Sequence, residues 1–226
     1  MRLRSVVAVG LVLGSLAAFA RADTWPLAEL KTKAKGTTAL GNWSLAAFAG
    51  RNDFPFLADR KELEEVESGR WALPARGAGE IKIDDTNLNV RSAGMQNNEE
   101  NDKWLAAVVF TAKEAASYAV TGKVTGIWCD SDKAPKNAMK WAVLRGKADG
   151  KKFKAVAGGE CGDGDSLDLA SAEKLKSIPM EAGETLVITL FRPGHWGAAG
   201  GNLTGLNIDK AAATPAAEPA KTEEKK

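Results

Sequence analysis

One histidine, two cysteines and one tyrosine are all that 226 residues offer of those types. The histidine, His195, has no GxSxG segment and no recognisable serine or cysteine partner, so acid–base or nucleophilic catalysis lacks a set to build on. Neither charge sign dominates, with 31 Lys and Arg against 29 Asp and Glu. Without a concentrated basic face there is no electrostatic reason to expect nucleic acid as a partner. The longest apolar run, Val6 to Ala20, is shorter than the roughly 20 residues needed to span a bilayer. Also missing, from Trp104 onward, is any 10-to-15-residue helical pattern between the strand-like runs, which disfavours parallel βαβ packing. No internal repeat is visible.

What is present begins with a leader. Arg2 and Arg4 precede the apolar run, and Ala20-Arg21-Ala22 closes it in small-x-small order, the pattern of a secretory signal peptide over 1–22. Cleavage would start the product at Asp23 and remove Arg2, Arg4 and Arg21, taking the formal charge from +2 to −1. The expected location is periplasmic or extracellular. At the other end AAATPAAEPAKTEEKK, 211–226, has no aromatic or large aliphatic residue and reads as a disordered tail. Between them, 23–210 suits one all-β domain.

From Trp104 onward, short alternating apolar runs are separated by Gly, Pro, Asn and Asp clusters, the pattern of an antiparallel sandwich. Strands are expected at 104–112, 117–128, 139–146, 152–158, 173–180, 185–191 and 203–209. Ala148-Asp149-Gly150 reads as a hairpin turn. Tyr118, Val120 and Val124 should face inward, as should Leu186, Ile188, Leu190, Leu206 and Ile208; Trp104 and Trp141 should join the core. Earlier strands are expected at 41–48, 69–73, 80–83 and 88–90. Asp59 and Glu62 are spaced as a capping box, so a short helix is expected near 60–67, docked by Leu63 and Val66.

Strand parity then says which loops share an end. If 117–128 runs up, DSDKAPKN (130–137) follows it at the top, and 152–158 climbs again to bring GECGDGD (159–165) there. With 173–180 descending and 185–191 rising, RPGHWGAAGG (192–201) arrives at that same end. The inference needs Ser166 to Ala172 to be irregular or to continue the descending strand. It brings Cys129 and Cys161 together, and in an oxidising compartment a disulfide is the expected state. Closing a loop of about thirty residues would contribute on the order of 3 to 4 kcal/mol. Two buried thiols are the alternative.

Three chemistries can be weighed at this end. Asp130, Asp132, Asp163 and Asp165 form two carboxylate-bearing loops that suit calcium. The run from Asp163 is not an EF-hand, since Asp168 and Lys174 stand where glycine and glutamate are needed, and solvated turn aspartates account for the same residues. The glycines at 194, 197, 200 and 201 lack the Gly-Lys-Ser/Thr of a phosphate loop and lead into a strand. Trp128 and Trp196 sit at a strand end and in a loop, where an indole face can stack on a sugar ring. His195, Arg192 and Asn202 are the polar groups beside them. No cofactor is called for.

The pattern F-x-A-x-E-x-x-x-Y-x-V-x-G-x-V (110–124), W-x-V at 141–143, A-G-E-x-L-x-I-x-L (182–190) and N-L-T-G-L-N-I (202–208) resembles secreted jelly-roll modules of the carbohydrate-binding, galactose-binding-like kind. GNWS at 41–44 is similar to their entry, and the resemblance spans roughly 41–209. It implies a jelly-roll β-sandwich that binds glycan without catalysis. Asn202 and Asn207 stand where such modules often carry aspartate, which removes support for a structural calcium. A structural or protein-interaction module of the cell envelope is the alternative reading, and a hydrolase ranks below both.

Overall fold

The run Glu184–Phe191 shows how these residues build the molecule. Its Leu186, Ile188 and Leu190 enter the main core, as alternation requires, yet Val187 and Phe191 on the other face are buried as well. Such a strand belongs at the centre of a sheet covered on both sides. The computed structural model describes residues 24–26, 39–40, 42–50, 57–73, 79–83, 87–92, 103–127, 139–147, 152–191 and 199–211. In chain order its strands are β1 (Thr24–Pro26), β2 (Ala39–Leu40), β3 (Trp43–Ala49), β4 (Ala58–Glu62), β5 (Glu64–Glu67), β6 (Arg70–Ala72), β7 (Glu80–Ile83) and β8 (Asn87–Ser92). There follow β9 (Trp104–Thr111), β10 (Ala116–Ile127), β11 (Met139–Lys147), β12 (Lys154–Cys161), β13 (Ser166–Asp168), β14 (Ile178–Met180), β15 (Glu184–Phe191) and β16 (Ala199–Lys210).

The strands form two antiparallel sheets. The larger has nine, in the order β13-β10-β16-β8-β7-β6-β5 with β1 on β16 and β14 on β10. The smaller has seven, β12-β11-β15-β9-β3-β2 with β4 on β3. The fold is therefore an all-β, jelly-roll-like sandwich. The main core lies between the sheets and includes Tyr118, Val120, Val124, Leu206 and Ile208 from the larger one. Trp104 and Trp141 join it from the smaller. A chain of edge-to-face rings, Trp43 on Phe110 at 5.3 Å and Phe110 on Tyr118 at 5.5 Å, ties the two sheets across that core.

The smaller sheet also carries a second apolar layer on its far face, where Phe48, Leu105, Val109, Leu144 and Val187 gather with Leu57 and Phe153. The register explains the grouping: Phe48 lies opposite Leu105, Val187 opposite Val109, and Leu144 opposite Val187. Thr189 sits in the same layer and is satisfied by donating to the Ala106 carbonyl at 2.8 Å. Half-burial describes β10 well but not the strands of this sheet.

The helix expected near 60–67 is not formed. Instead β4 pairs with β3 in the smaller sheet and β5 pairs with β6 in the larger, so the chain changes sheets at Leu63. Leu63 is fully buried and its N–H bonds the Leu45 carbonyl at 3.0 Å, whereas Val66 is exposed. Only one of the two residues needed to dock a helix is inside, and strand pairing on both sides outweighs the helical preference of the glutamates. The expected strand at 173–180 is also shorter. Two 3-10 turns occupy Leu169–Ser171 and Glu173–Leu175 before β14, and the described residues contain no α-helix.

Candidate functional site

The descent from β13 to β14 decides whether the loop parity holds. β13 runs antiparallel to β10 at Lys123–Thr125, and β14 continues in the same direction at Ala116–Tyr118. Ser166 onward thus continues the descending path, as the parity inference needed. The strand ends then converge. Ile127 at the end of β10 lies opposite Gly200 at the start of β16; Met139 opens β11 opposite Cys161, and Lys140 lies opposite Phe191. The chain leaves for 128–138 and for 192–198, and returns from both, at one end of the sandwich.

Close backbone contact fixes the remaining loop of this end. Gly126 donates to the Asp165 carbonyl at 3.0 Å and accepts from Gly164 at 2.9 Å. A Cβ at Gly126 would stand 2.2 Å from the Gly162 oxygen, so only glycine fits there. Asp165 turns its carboxylate back on the Gly162 N–H at 3.1 Å. Asp163 and Asp165 are both exposed, and among the described residues no group of three or more His, Cys, Asp or Glu could hold a metal. Asp130 and Asp132, the other half of the calcium expectation, lie outside the described residues.

Cys161 is buried beneath this turn, and its Sγ donates to the Asp165 carbonyl at 3.1 Å. Burial pushes the thiol up from its ordinary range and the Asp165 charge adds to this, against the Gly126 N–H. No disulfide is formed among the described residues, and Cys129 lies outside them. The two-residue step from Ile127 nevertheless starts from the strand end that holds the Cys161 turn.

At the same end, the edge of the smaller sheet opens into a cavity of about 360 Å³ lined by Lys140, Trp141, Ala157, Gly159, Glu160 and Phe191 among others. Gly159 makes room for the indole: a Cβ there would lie 2.9 Å from Trp141 Nε1. Lys140 and Glu160, 3.6 Å apart, give this apolar recess a charged rim. Phe191 is where the chain departs toward Arg192, His195 and Trp196, which with Trp128 lie outside the described residues. Sequence reading missed the recess because Trp141 read only as core and Phe191 only as the end of a strand. The signal was the small-residue run Ala155-Val156-Ala157-Gly158-Gly159 opposite Trp141.

Asn202 is placed elsewhere. It lies on the outer face of the larger sheet, where its Oδ1 accepts from Asn89 Nδ2 at 3.0 Å, in register with Thr125, whose hydroxyl meets that of Ser166 at 2.8 Å. Its neighbours Gly201 and Leu203 are buried, so the core separates Asn202 from the cavity. A third feature, also unread in the sequence, stands on the smaller sheet: Lys61 Nζ and Lys103 Nζ lie 4.7 and 5.5 Å from the centre of the Trp104 ring. Among the described residues no helix is long and apolar enough to cross a membrane.

No protein-family profile matches the chain, and no curated protein does. Among solved structures it is similar to the CBM22-1 xylan-binding domain of Xyn10C from Paenibacillus barcinonensis, at 14% identity and TM-score 0.38, covering 77% of this chain and 100% of that one. A second likeness is to the CBM22-1 and GH10 modules of endo-1,4-β-D-xylanase 10B from Clostridium thermocellum complexed with xylohexaose. There identity is 10% and TM-score 0.35, over 78% of this chain but only 27% of the xylanase. Eiger TNF from S. frugiperda is matched at 11% identity and TM-score 0.32, covering 80% and 99%.

Proposed function

We propose that the protein is an exported, non-catalytic β-sandwich module that binds a glycan through the end where 128–138 and 192–198 leave and rejoin the sheets. One observation carries the reading: Phe191, the last described residue before 192–198, lies opposite Lys140, the second described residue after 128–138, and both line the cavity beside Trp141. An apolar recess with a few polar groups on its edge is the usual form of a small-ligand site. Trp196 and Trp128 would supply the stacking surface, with Arg192 and His195 as hydrogen-bonding groups. A Cys129–Cys161 disulfide would tie 128–138 to the turn held by Gly126.

A glycan array probed with wild type and Trp196→Ala tests the assignment. The expected outcome is a set of glycans retained by wild type and lost in the variant at unchanged melting temperature. Retention indifferent to the substitution contradicts it, and no retention at all leaves an interaction module of the cell envelope as the better reading.

A further inference from the structure

Several charged side chains of this molecule are paired. Arg60 meets Glu62, Arg70 and Arg91 meet Glu80, Lys176 meets Glu173, and Lys210 meets Glu114. Like other lysines among the described residues, Lys61 and Lys103 have no carboxylate partner there; what sets them apart is that both stand over one indole. The backbone puts them there. Lys61 lies opposite Ala47, one pair along from Phe48–Arg60, while Trp104 lies opposite Ala49. Lys103 is held against β3 by the hydrogen bond from Gly50 N–H to its carbonyl at 3.0 Å.

Trp104 itself is buried, so its ring is no platform for a sugar; it orients the two cations by cation–π attraction. An anionic group placed beside this ring would be attracted to both cations. The place is also informative. Thr189 pairs with Ala107, and the antiparallel register carries on toward Phe191 and Trp104, so this cation pair stands at the end where 192–198 departs. Arg192 directly follows β15 and Arg51 is two residues past β3, with Asp53 and Asp102 also near in sequence; all four lie outside the described residues.

We propose that Lys61 and Lys103, positioned by Trp104, form a subsite for a carboxylate- or sulfate-bearing sugar at the loop end of the sandwich. This deepens the glycan-binding reading above and rests on it. The pair selects for an anionic group on the ligand.

Affinity electrophoresis of the full chain through gels containing polygalacturonate, dextran sulfate or neutral xylan tests this. The variants are Lys61→Gln with Lys103→Gln, the charge-keeping pair Lys61→Arg with Lys103→Arg, and Lys113→Gln with Lys174→Gln as a control of equal charge loss at two exposed positions elsewhere. Wild type should be retarded by an anionic polymer, the glutamine pair should bind it about tenfold or more weakly, and the arginine pair and the control should keep binding. Polygalacturonate against dextran sulfate tells carboxylate from sulfate. No retardation by either, equal loss in the control pair Lys113→Gln with Lys174→Gln, or loss in the arginine pair would overturn the subsite. Binding to xylan with no response to the anionic polymers sinks this proposal and leaves the loop-end reading standing.

Discussion

Gly126 and Cys161 show how much one residue decides at the loop end. Gly126 has room for a hydrogen and nothing larger, because the 162–165 turn lies directly on it. That contact holds Cys161 one turn away from the strand that leads to Cys129. The expected outcome is that intact mass under non-reducing conditions shows the loss of two hydrogens, and that Cys161→Ser lowers stability by roughly 2 to 4 kcal/mol, as loss of a closed loop would. Two alkylatable thiols in the native protein would contradict the pairing. Asp59 illustrates the opposite situation: it takes a left-handed backbone (φ 43) at the irregularity where β3 and β4 shift register, and it is exposed there. Aspartate tolerates that conformation better than a branched residue does.

Among elements, the pair β4–β5 is the hinge between sheets, and Leu63 is its pin. Leu63→Ala removes a fully buried side chain that both sheets contact, so urea unfolding should show a loss of about 2 to 5 kcal/mol, while Val66→Ala, at an exposed position, should change little. Equal effects would mean that the hinge is not held at Leu63. This is also where the sequence misled. Leu63 and Val66 are spaced three apart and a capping-box pair precedes them, so local rules favour a helix; only partners brought from 43–49 and 70–72 reveal two strands. From 104 onward local alternation suffices, because β9, β10, β11 and β15 are long and their inward positions are apolar throughout. Even there, the second buried face of the smaller sheet could not be read from alternation, since its apolar residues had to be assigned to one face or the other.

For the whole molecule, the directions of five strands were enough to expect 130–137, 159–165 and 192–201 at one end, and the pairing of β13 and β14 with β10 supplies the step on which that depended. Not legible were the recess beside Trp141 and the cation pair over Trp104. Both arise from residues far apart in sequence that meet only when strands pair. Asn202 was assigned to the loop end from its sequence position, but the period-2 alternation of β16 turns it to the outer face of the larger sheet. The central claim is that one end of the sandwich receives the ligand. Hydrogen–deuterium exchange with and without a glycan retained on the array addresses it most directly. The account predicts slowed exchange confined to amides of the loop end, near 50, 61, 103–104, 127, 139–141, 159–165, 191 and 199–201. Protection centred on the opposite end, around 112–116 and 181–184, or spread over the outer face of the larger sheet, would contradict it.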